Sequence, residues 1–143
     1  MFSPSDKERM SRRTSFAKVT KQYLASLDLV FDKSTHFNPY AGKSFDLFGF
    51  ADWIAVDPVK KQIIAIQETS ISNKSARIKK ILAEQRALAW VLAGGKIWVL
   101  CWKKVARTSI HGRMKTFFDP FLFYVIEEDF LENRYGIRNG PET

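Results

Sequence analysis

Oxygen-bearing side chains stand at the ends of two apolar runs near the middle of the chain. Asp46 and Asp52 lie at or inside the start of the first run, and the triplet Gln67-Glu68-Thr69 closes the second. A carboxylate inside an apolar run costs free energy unless it has a partner, a proton or a metal. Carboxylate and amide oxygens suit Mg²⁺, which can assist phosphodiester hydrolysis. Asp52, Asp46 and Gln67 are therefore candidate site residues.

Strand alternation decides which members of the triplet can join Asp52. Successive side chains of a strand point to opposite faces, so Gln67 and Thr69 share one face and Glu68 takes the other. Glu68 reaches the first face only with a bulge or in an alternative register, although its backbone carbonyl can still contact a metal. Gln67 and Thr69 have a structural alternative, in which they hydrogen-bond each other at a buried strand end.

Basic residues close to these acids are candidates for contacts with phosphate. Lys43 precedes Asp46 by three residues, and it can also act simply as that carboxylate's ion-pair partner. Helix N-termini attract phosphate, and a basic cluster follows the second run where a helix is predicted to start. The alternative is an ordinary solvated helix face. The predicted nucleic-acid-binding residues are Lys43, Lys74, Arg77, Lys80, Lys103 and Lys104.

Composition limits the class of protein. The chain has 143 residues, 45% of them hydrophobic, which predicts one domain over residues 14–132 between flexible ends at 1–13 and 133–143. Cys101 is the only cysteine, so an intrachain disulfide is excluded. The N-terminus does not resemble a secretory signal, and no apolar stretch could span a bilayer. We expect a soluble intracellular protein.

The charge of the chain favours a polyanionic partner. The formal net charge is +8, and the basic residues are concentrated in Lys7 to Lys21, Lys74 to Lys80 and Lys103 to Lys115. Nucleic acid is the first interpretation, whereas an anionic membrane surface, an acidic protein and solubility alone are alternatives. Trp102, beside Lys103, is expected in the core, with stacking on a base as its alternative role.

Hydrophobic periodicity and turn signals predict an α/β chain. The predicted elements, in order, are a helix from about Thr14, a strand at Leu29 to Phe31, a loop from Asp32 to Phe45, strands at Leu47 to Val56 and Gln62 to Thr69, a long helix from about Ser75 to Ala93, a strand at Lys96 to Trp102, a basic segment to Lys115, an edge strand at Phe121 to Ile126 and a helical turn at Glu127 to Leu131.

This order, with an acid in the second strand and a polar triplet ending the third, resembles the PD-(D/E)XK, or restriction-endonuclease-like, nuclease superfamily. The segment from Asp46 to Asp52, Asp-Leu-Phe-Gly-Phe-Ala-Asp, and the run Gln-Glu-Thr-Ser from Gln67 look like a phage-associated branch, similar to Holliday-junction resolvases and VRR-NUC nucleases. The resemblance implies an αβββαβ core whose central mixed sheet is flanked by helices, plus a C-terminal strand. It also implies Mg²⁺ or Mn²⁺, duplex or branched DNA as partner, a homodimer as an option, and the cytoplasm of a bacterial host.

The resemblance also assigns roles to three residues. Asp52 takes the place of the motif aspartate, Gln67 that of the glutamate in the (D/E)XK triplet, and Thr69 that of its lysine. The resemblance thus implies Asp52 and Gln67 as metal ligands. Glutamine attracts a cation less than glutamate, and threonine cannot supply the charge of lysine. Two functions follow: a metal-dependent DNA endonuclease, or a nucleic-acid-binding protein with a decayed catalytic triplet. A small interaction module with no nucleic-acid role is the third option.

Overall fold

The computed structural model describes residues 16–134. The predicted flexible segment 1–13 and residues 135–143 of the predicted tail lie outside the described residues. The elements are helix α1 (16–26), strands β1 (Val30–Lys33), β2 (His36–Asn38), β3 (Lys43–Phe45), β4 (Trp53–Asp57) and β5 (Gln62–Ser70), a 3₁₀ turn (Ile71–Asn73), helices α2 (Lys74–Leu82) and α3 (Gln85–Leu92), strands β6 (Lys96–Thr108) and β7 (Met114–Val125), and helix α4 (Glu127–Arg134).

The protein has a central mixed sheet with helices on both faces, which confirms the predicted mixed α/β architecture. Its five strands lie in the order β1-β4-β5-β6-β7, and β2 and β3 form a separate hairpin. All neighbouring pairs of the large sheet are antiparallel except β5 and β6, which are parallel and joined through α2 and α3. The crossover leaves the C-terminal end of β5 beside the middle of β6.

Strand alternation divides the core into two layers. Ala65, Val99 and Cys101 face α2, α3 and α4. Ile64 and Leu100 face the other way, toward α1. The apolar runs of β5 and β6 are buried on both faces, which explains why apolar and polar residues do not alternate along them in the sequence.

Trp102 belongs to the layer that faces α1. Its side chain is buried, and its indole Nε1 donates a hydrogen bond of 3.0 Å to Thr20 Oγ1 of α1. This contact confirms the expectation that Trp102 lies in the core. It also ties the first helix to the fourth strand of the sheet by a buried polar pair.

The predicted strand from Leu47 to Val56 is wrong in its first half. Phe48 and Gly49 have φ of 54° and 77°, and Leu47 and Ala51 exchange backbone hydrogen bonds across them. Two consecutive left-handed residues reverse the chain, so β4 begins only at Trp53. The apolar residues of this turn, such as Phe50, fill the core between the sheet and the helices, and for that reason the run looked like a strand.

Two further predicted boundaries are wrong. The predicted loop from Asp32 to Phe45 contains the β2–β3 hairpin. The predicted single helix to Ala93 breaks at Glu84, whose φ and ψ of −94° and 114° are extended. Ile81 and Ala87 are both fully buried, but a separation of six residues in a continuous helix would point them about 120° apart around the helix axis. The break brings both onto the core side.

The C-terminal part is more regular than predicted. The basic segment from Lys103 to Lys115 is not a loop: it forms most of the outer parts of β6 and β7, which pair from Ile97 and Val125 out to Thr108 and Met114. β7 stands at the sheet edge, as predicted, and α4 extends the predicted helical turn to Arg134. Within residues 16–134, none of the helices is long and apolar enough to cross a bilayer.

Candidate functional site

Asp52 lies just before β4, beside the end of β5, and its backbone is held on two sides. Its N–H donates to the Ile66 carbonyl at 2.8 Å, and its own carbonyl accepts from Ser34 N–H at 2.8 Å. The side chain is oriented toward β5, where Oδ2 accepts from Gln67 Nε2 at 2.7 Å and from the Glu68 N–H at 2.8 Å. The carboxyl group is therefore fixed between two neighbouring strands before any ligand arrives.

Asp46 approaches Asp52 from the turn that precedes β4. Thr35 Oγ1 lies 3.0 Å from Asp46 Oδ1 and 3.2 Å from Asp52 Oδ1, so one hydroxyl bridges the two carboxyl groups. The Thr35 hydroxyl has one proton, so it can donate to only one of these oxygens at a time. Two carboxylates this close repel each other unless a proton or a cation lies between them.

Several causes together raise the pKa of Asp52 from 3.8 to about 8, and burial is the largest of them. Hydrogen bonding with Asp46 and the negative charges of Asp46 and Glu68 act in the same direction, and the hydrogen bond from the Glu68 N–H acts in the opposite direction. At neutral pH, without a cation, the Asp46–Asp52 pair therefore holds a proton. Perturbed acids of this kind are frequent at functional sites, although they also occur in structural pairs.

The triplet at the end of β5 alternates as predicted. Gln67 is 3% exposed and Thr69 5%, and their strand partners Val99 and Cys101 face the helices α2 to α4. Glu68 points to the α1 face, where its Oε2 accepts from Trp53 Nε1 at 3.0 Å. The alternative register, with Glu68 beside Asp52, is wrong. The predicted hydrogen bond between Gln67 and Thr69 gives way to the one between Gln67 and Asp52.

The donor types at this position fit a magnesium ion. Mg²⁺ in proteins is commonly held by one or two carboxylates together with waters and substrate phosphates, so Asp46 and Asp52 are sufficient anchors. Gln67 currently presents its amide N–H to Asp52, and rotation of the amide by about 180° would present its oxygen instead. Within residues 16–134, no group of three His, Cys, Asp or Glu side chains could hold a metal ion. The set therefore fits a weakly held cation rather than a closed metal cage.

A cleft opens beside the carboxyl pair. It has a volume of about 540 Å³, and Asp46 lies in its wall. Three cations and two aromatic rings also form this wall, with His36 at its rim. Its lining is formed by His36, Lys43, Ser44, Phe45, Asp46, Leu47, Phe48, Gly49, Lys80 and Arg86. Positive charge beside a half-buried pair of acids suits a phosphate-bearing ligand, which would lie within reach of Asp46.

The predicted phosphate-binding residues separate into three groups. Lys43 and Lys80 line the cleft, with Lys43 Nζ 5.3 Å from the Phe45 ring centroid. Lys74 instead lies 4.2 Å from the Phe123 ring centroid, over β7 and away from Asp52. Burial raises the pKa of the Cys101 thiol to about 11, although the positive charge of Lys74 acts to lower it.

The other three predicted cations lie apart from the cleft. Arg77, half-buried on α2, is not part of the cleft lining described above. Lys103 and Lys104 are exposed on β6, beyond its last pair with β5. The structure therefore brings together Asp46, Asp52 and Gln67, and it places only Lys43 and Lys80 next to them.

Sequence reasoning missed two side chains of the site. Thr35 falls in the predicted loop from Asp32 to Phe45, and Arg86 in the predicted long helix from about Ser75 to Ala93. Arg86 pairs with Glu84 at the break between α2 and α3, and its Nη2 lies 2.8 Å from where a Cβ on Gly49 would stand. The polar triplet from Glu84 to Arg86, between two apolar stretches of the predicted helix, is the sequence pattern that indicates a turn at the surface.

Comparison with known proteins adds no relative to these observations. No family model matches the chain, no curated protein matches it, and no solved structure matches its fold.

Proposed function

We propose that the chain is a metal-dependent DNA endonuclease that hydrolyses phosphodiester bonds on a restriction-endonuclease-like core. The proposal rests on one observation: Asp46 and Asp52 are bridged by Thr35 next to Gln67, and Asp46 of this pair lines a cleft that also contains cations. The order of α1, β1, β4, β5, the α2–α3 crossover and β6 agrees with the αβββαβ order of that core, with the β2–β3 hairpin inserted.

The roles of the acids follow from their positions. Asp52 is held rigidly between β4 and β5, so it would be the main ligand of a divalent cation, with Asp46 as the second carboxylate. A bound Mg²⁺ would supply charge stabilisation and an activated water. Thr35 would orient whichever carboxylate accepts its hydroxyl proton. Gln67 would contribute its amide oxygen after rotation, or continue to position Asp52 through its N–H.

The missing motif lysine is the weak point of the catalytic set. Thr69 carries no charge and is buried, and Lys74 extends toward Phe123. Lys80 and Arg86 line the same cleft as Asp46, so either could stabilise charge that develops on the phosphate. Positioned cations act through their place in space rather than their place in a motif. We therefore assign this function to the Lys80 and Arg86 side of the cleft.

A cleavage assay tests the proposal. Linear, circular, single-stranded and branched DNA are incubated with the protein and Mg²⁺ or Mn²⁺, and products are separated on denaturing gels. We expect metal-dependent cutting that Asp52→Asn reduces by at least 100-fold, because this change removes a ligand charge and leaves the shape of the side chain. The matched control is Asp28→Asn, which changes an exposed carboxylate at a positive-φ position and should cut normally.

A second candidate function has its own support. Gln67 offers Asp52 a donor rather than a metal-facing oxygen, and Thr69 stands where a lysine would act. These features favour a nucleic-acid-binding protein that has lost catalysis. Binding that falls steeply with salt, without cutting under any metal, would support this candidate and reject the nuclease. Absence of binding at low salt would reject both.

A further inference from the structure

The outer half of the β6–β7 hairpin extends past the rest of the sheet. The last pair between β5 and β6 is Ser70 with Trp102, yet β6 and β7 continue to Thr108 and Met114. We call this part the arm: residues 103–108 of β6, the turn 109–113, and residues 114–119 of β7. Six residues of strand make the arm about 20 Å long.

The arm is cationic on both faces. Arg107 of β6 is paired with Lys115 of β7. Both lie on the same face of the sheet as Cys101, which is the strand partner of Thr69. Lys104 lies on the opposite face, and Arg113 in the turn. These four cations and Lys103 are all exposed. The only acid of the arm, Asp119, is already paired with Arg107. No other described ribbon of the chain concentrates charge in this way.

We propose that the arm enters a groove of double-stranded nucleic acid while the Asp46–Asp52 cluster faces the backbone. A two-stranded β-ribbon fits the major groove of a duplex. The groove has a phosphate backbone on each side, which accounts for cations on both faces of the arm. The arm begins where β6 passes the end of β5, three residues beyond Gln67, so it starts at the same end of the sheet as the Asp46–Asp52 cluster and one ligand can contact both.

A second copy of the chain is a poorer occupant of the arm. β7 is an edge strand, and edge strands can pair with another chain. Lys115 and Pro120 interrupt this edge, because proline has no N–H to donate and lysine charges repel across a symmetric pair. Single-stranded nucleic acid could stack on exposed Phe117 or Phe121, but stacking does not need cations on both faces.

The inference rests on the proposed function only for the nature of the ligand, and its test measures binding rather than cutting. A labelled duplex and its single strand are titrated with the protein, without divalent metal, across a series of salt concentrations. The arm variant Lys104→Gln/Arg113→Gln/Lys115→Gln keeps the Arg107–Asp119 pair. The control removes three exposed lysines from α1 and the β4–β5 turn: Lys18→Gln/Lys21→Gln/Lys60→Gln.

We expect the arm variant to lose about three phosphate contacts with the duplex. When salt rises from 50 to 200 mM, the factor by which affinity for the duplex falls should then be about 40 times smaller in the arm variant than in the parent. The control should keep the parental salt dependence, and single-strand binding should change less than tenfold in the arm variant. A shortened arm, in which Asn-Gly replaces residues 107–115 between Ala106 and Thr116, should keep its melting temperature and lose duplex binding.

Three results would overturn the inference: equal salt dependence in the arm and control variants, equal losses on duplex and single strand, or a dimer that dissociates when the arm is changed. A protein that cuts DNA but whose arm variant binds normally removes the arm inference alone. A protein that never cuts but binds through the arm removes only the nuclease proposal.

Discussion

Replacement of Asp52 by asparagine should make the protein more stable, and increasingly so as the pH rises. In the parent, Oδ2 accepts hydrogen bonds from Gln67 Nε2 and the Glu68 N–H, and Oδ1 faces Asp46 and Thr35. An asparagine can place its amide oxygen where Oδ2 lies, to accept the same two hydrogen bonds. Its amide nitrogen then takes the place of Oδ1 and donates to Asp46. The variant therefore keeps the hydrogen bonds from Gln67 and Glu68 and replaces the proton of the pair with an amide N–H, while Thr35 donates to Asp46 alone.

The direction of the pH dependence follows from the raised pKa. The folded chain holds the Asp52 proton up to about pH 8, whereas the unfolded chain releases it near pH 3.8. Between these values the folded state binds more protons, so the contribution of this group to the free energy of unfolding falls as the pH rises. Below about pH 4 both states are protonated and the contribution is complete, and above about pH 8 it is lost.

The size of the effect has an upper limit. A difference of about 4 pKa units corresponds to about 6 kcal/mol at about 1.4 kcal/mol per unit. Water entry and movement of Thr35 can relieve part of this cost when the pair ionises. We therefore expect the asparagine variant to gain at least about 2 kcal/mol relative to the parent between pH 4 and pH 9.

Urea unfolding at a series of pH values, with a chelator present, measures this gain. The difference between Asp52→Asn and the parent is the relevant quantity, because the titration of groups remote from the Asp46–Asp52 pair cancels. Asp28→Asn, which replaces an exposed carboxylate outside the cluster, is the control. A flat difference for Asp52→Asn would refute the argument, because it would mean that the pair is already ionised in the folded protein.

Three further changes test other parts of the structure. Gln67→Glu places a third carboxyl beside Asp52 and should strengthen Mn²⁺ binding by at least tenfold in calorimetry at pH 8, whereas unchanged affinity would show that this residue does not face the cation. Gly49→Ala puts a Cβ at a φ of 77°, 2.8 Å from an arginine nitrogen, and should lower the free energy of unfolding by about 1–2 kcal/mol. Gly42→Ala, with a φ of 67° and nothing within 4 Å, is its control, and a larger loss at Gly49 would isolate the close contact. Thr20→Val leaves the buried Trp102 N–H without its acceptor and should cost about 1–3 kcal/mol in urea unfolding, a loss that should shrink when Trp102 is also changed to phenylalanine.

The order of elements could be predicted from local patterns. Apolar runs bounded by turn signals gave β5 within one residue, because a strand buried on both faces leaves an unbroken apolar sequence. Alternation along β5 correctly separated Glu68 from Gln67 and Thr69. The same logic failed at Leu47 to Ala51, because a tight turn whose apolar residues fill the core has the same sequence signature as a buried strand.

Among the candidate site residues, the sequence by itself determined that a costly acid, Asp52, would lie next to a polar strand end. The sequence also showed that the chain is basic and that side chains with oxygen ligands lie near its middle. Only the tertiary structure decided that Asp46 and Thr35, distant from β5 in sequence, close the site around Asp52. It also decided that Lys80 and Arg86, rather than Lys74, line the cleft beside Asp46. The physical reason is that a turn places the Asp46 side chain and a helix break places the Arg86 side chain. Both the turn and the break result from how the chain fills its core rather than from local propensity.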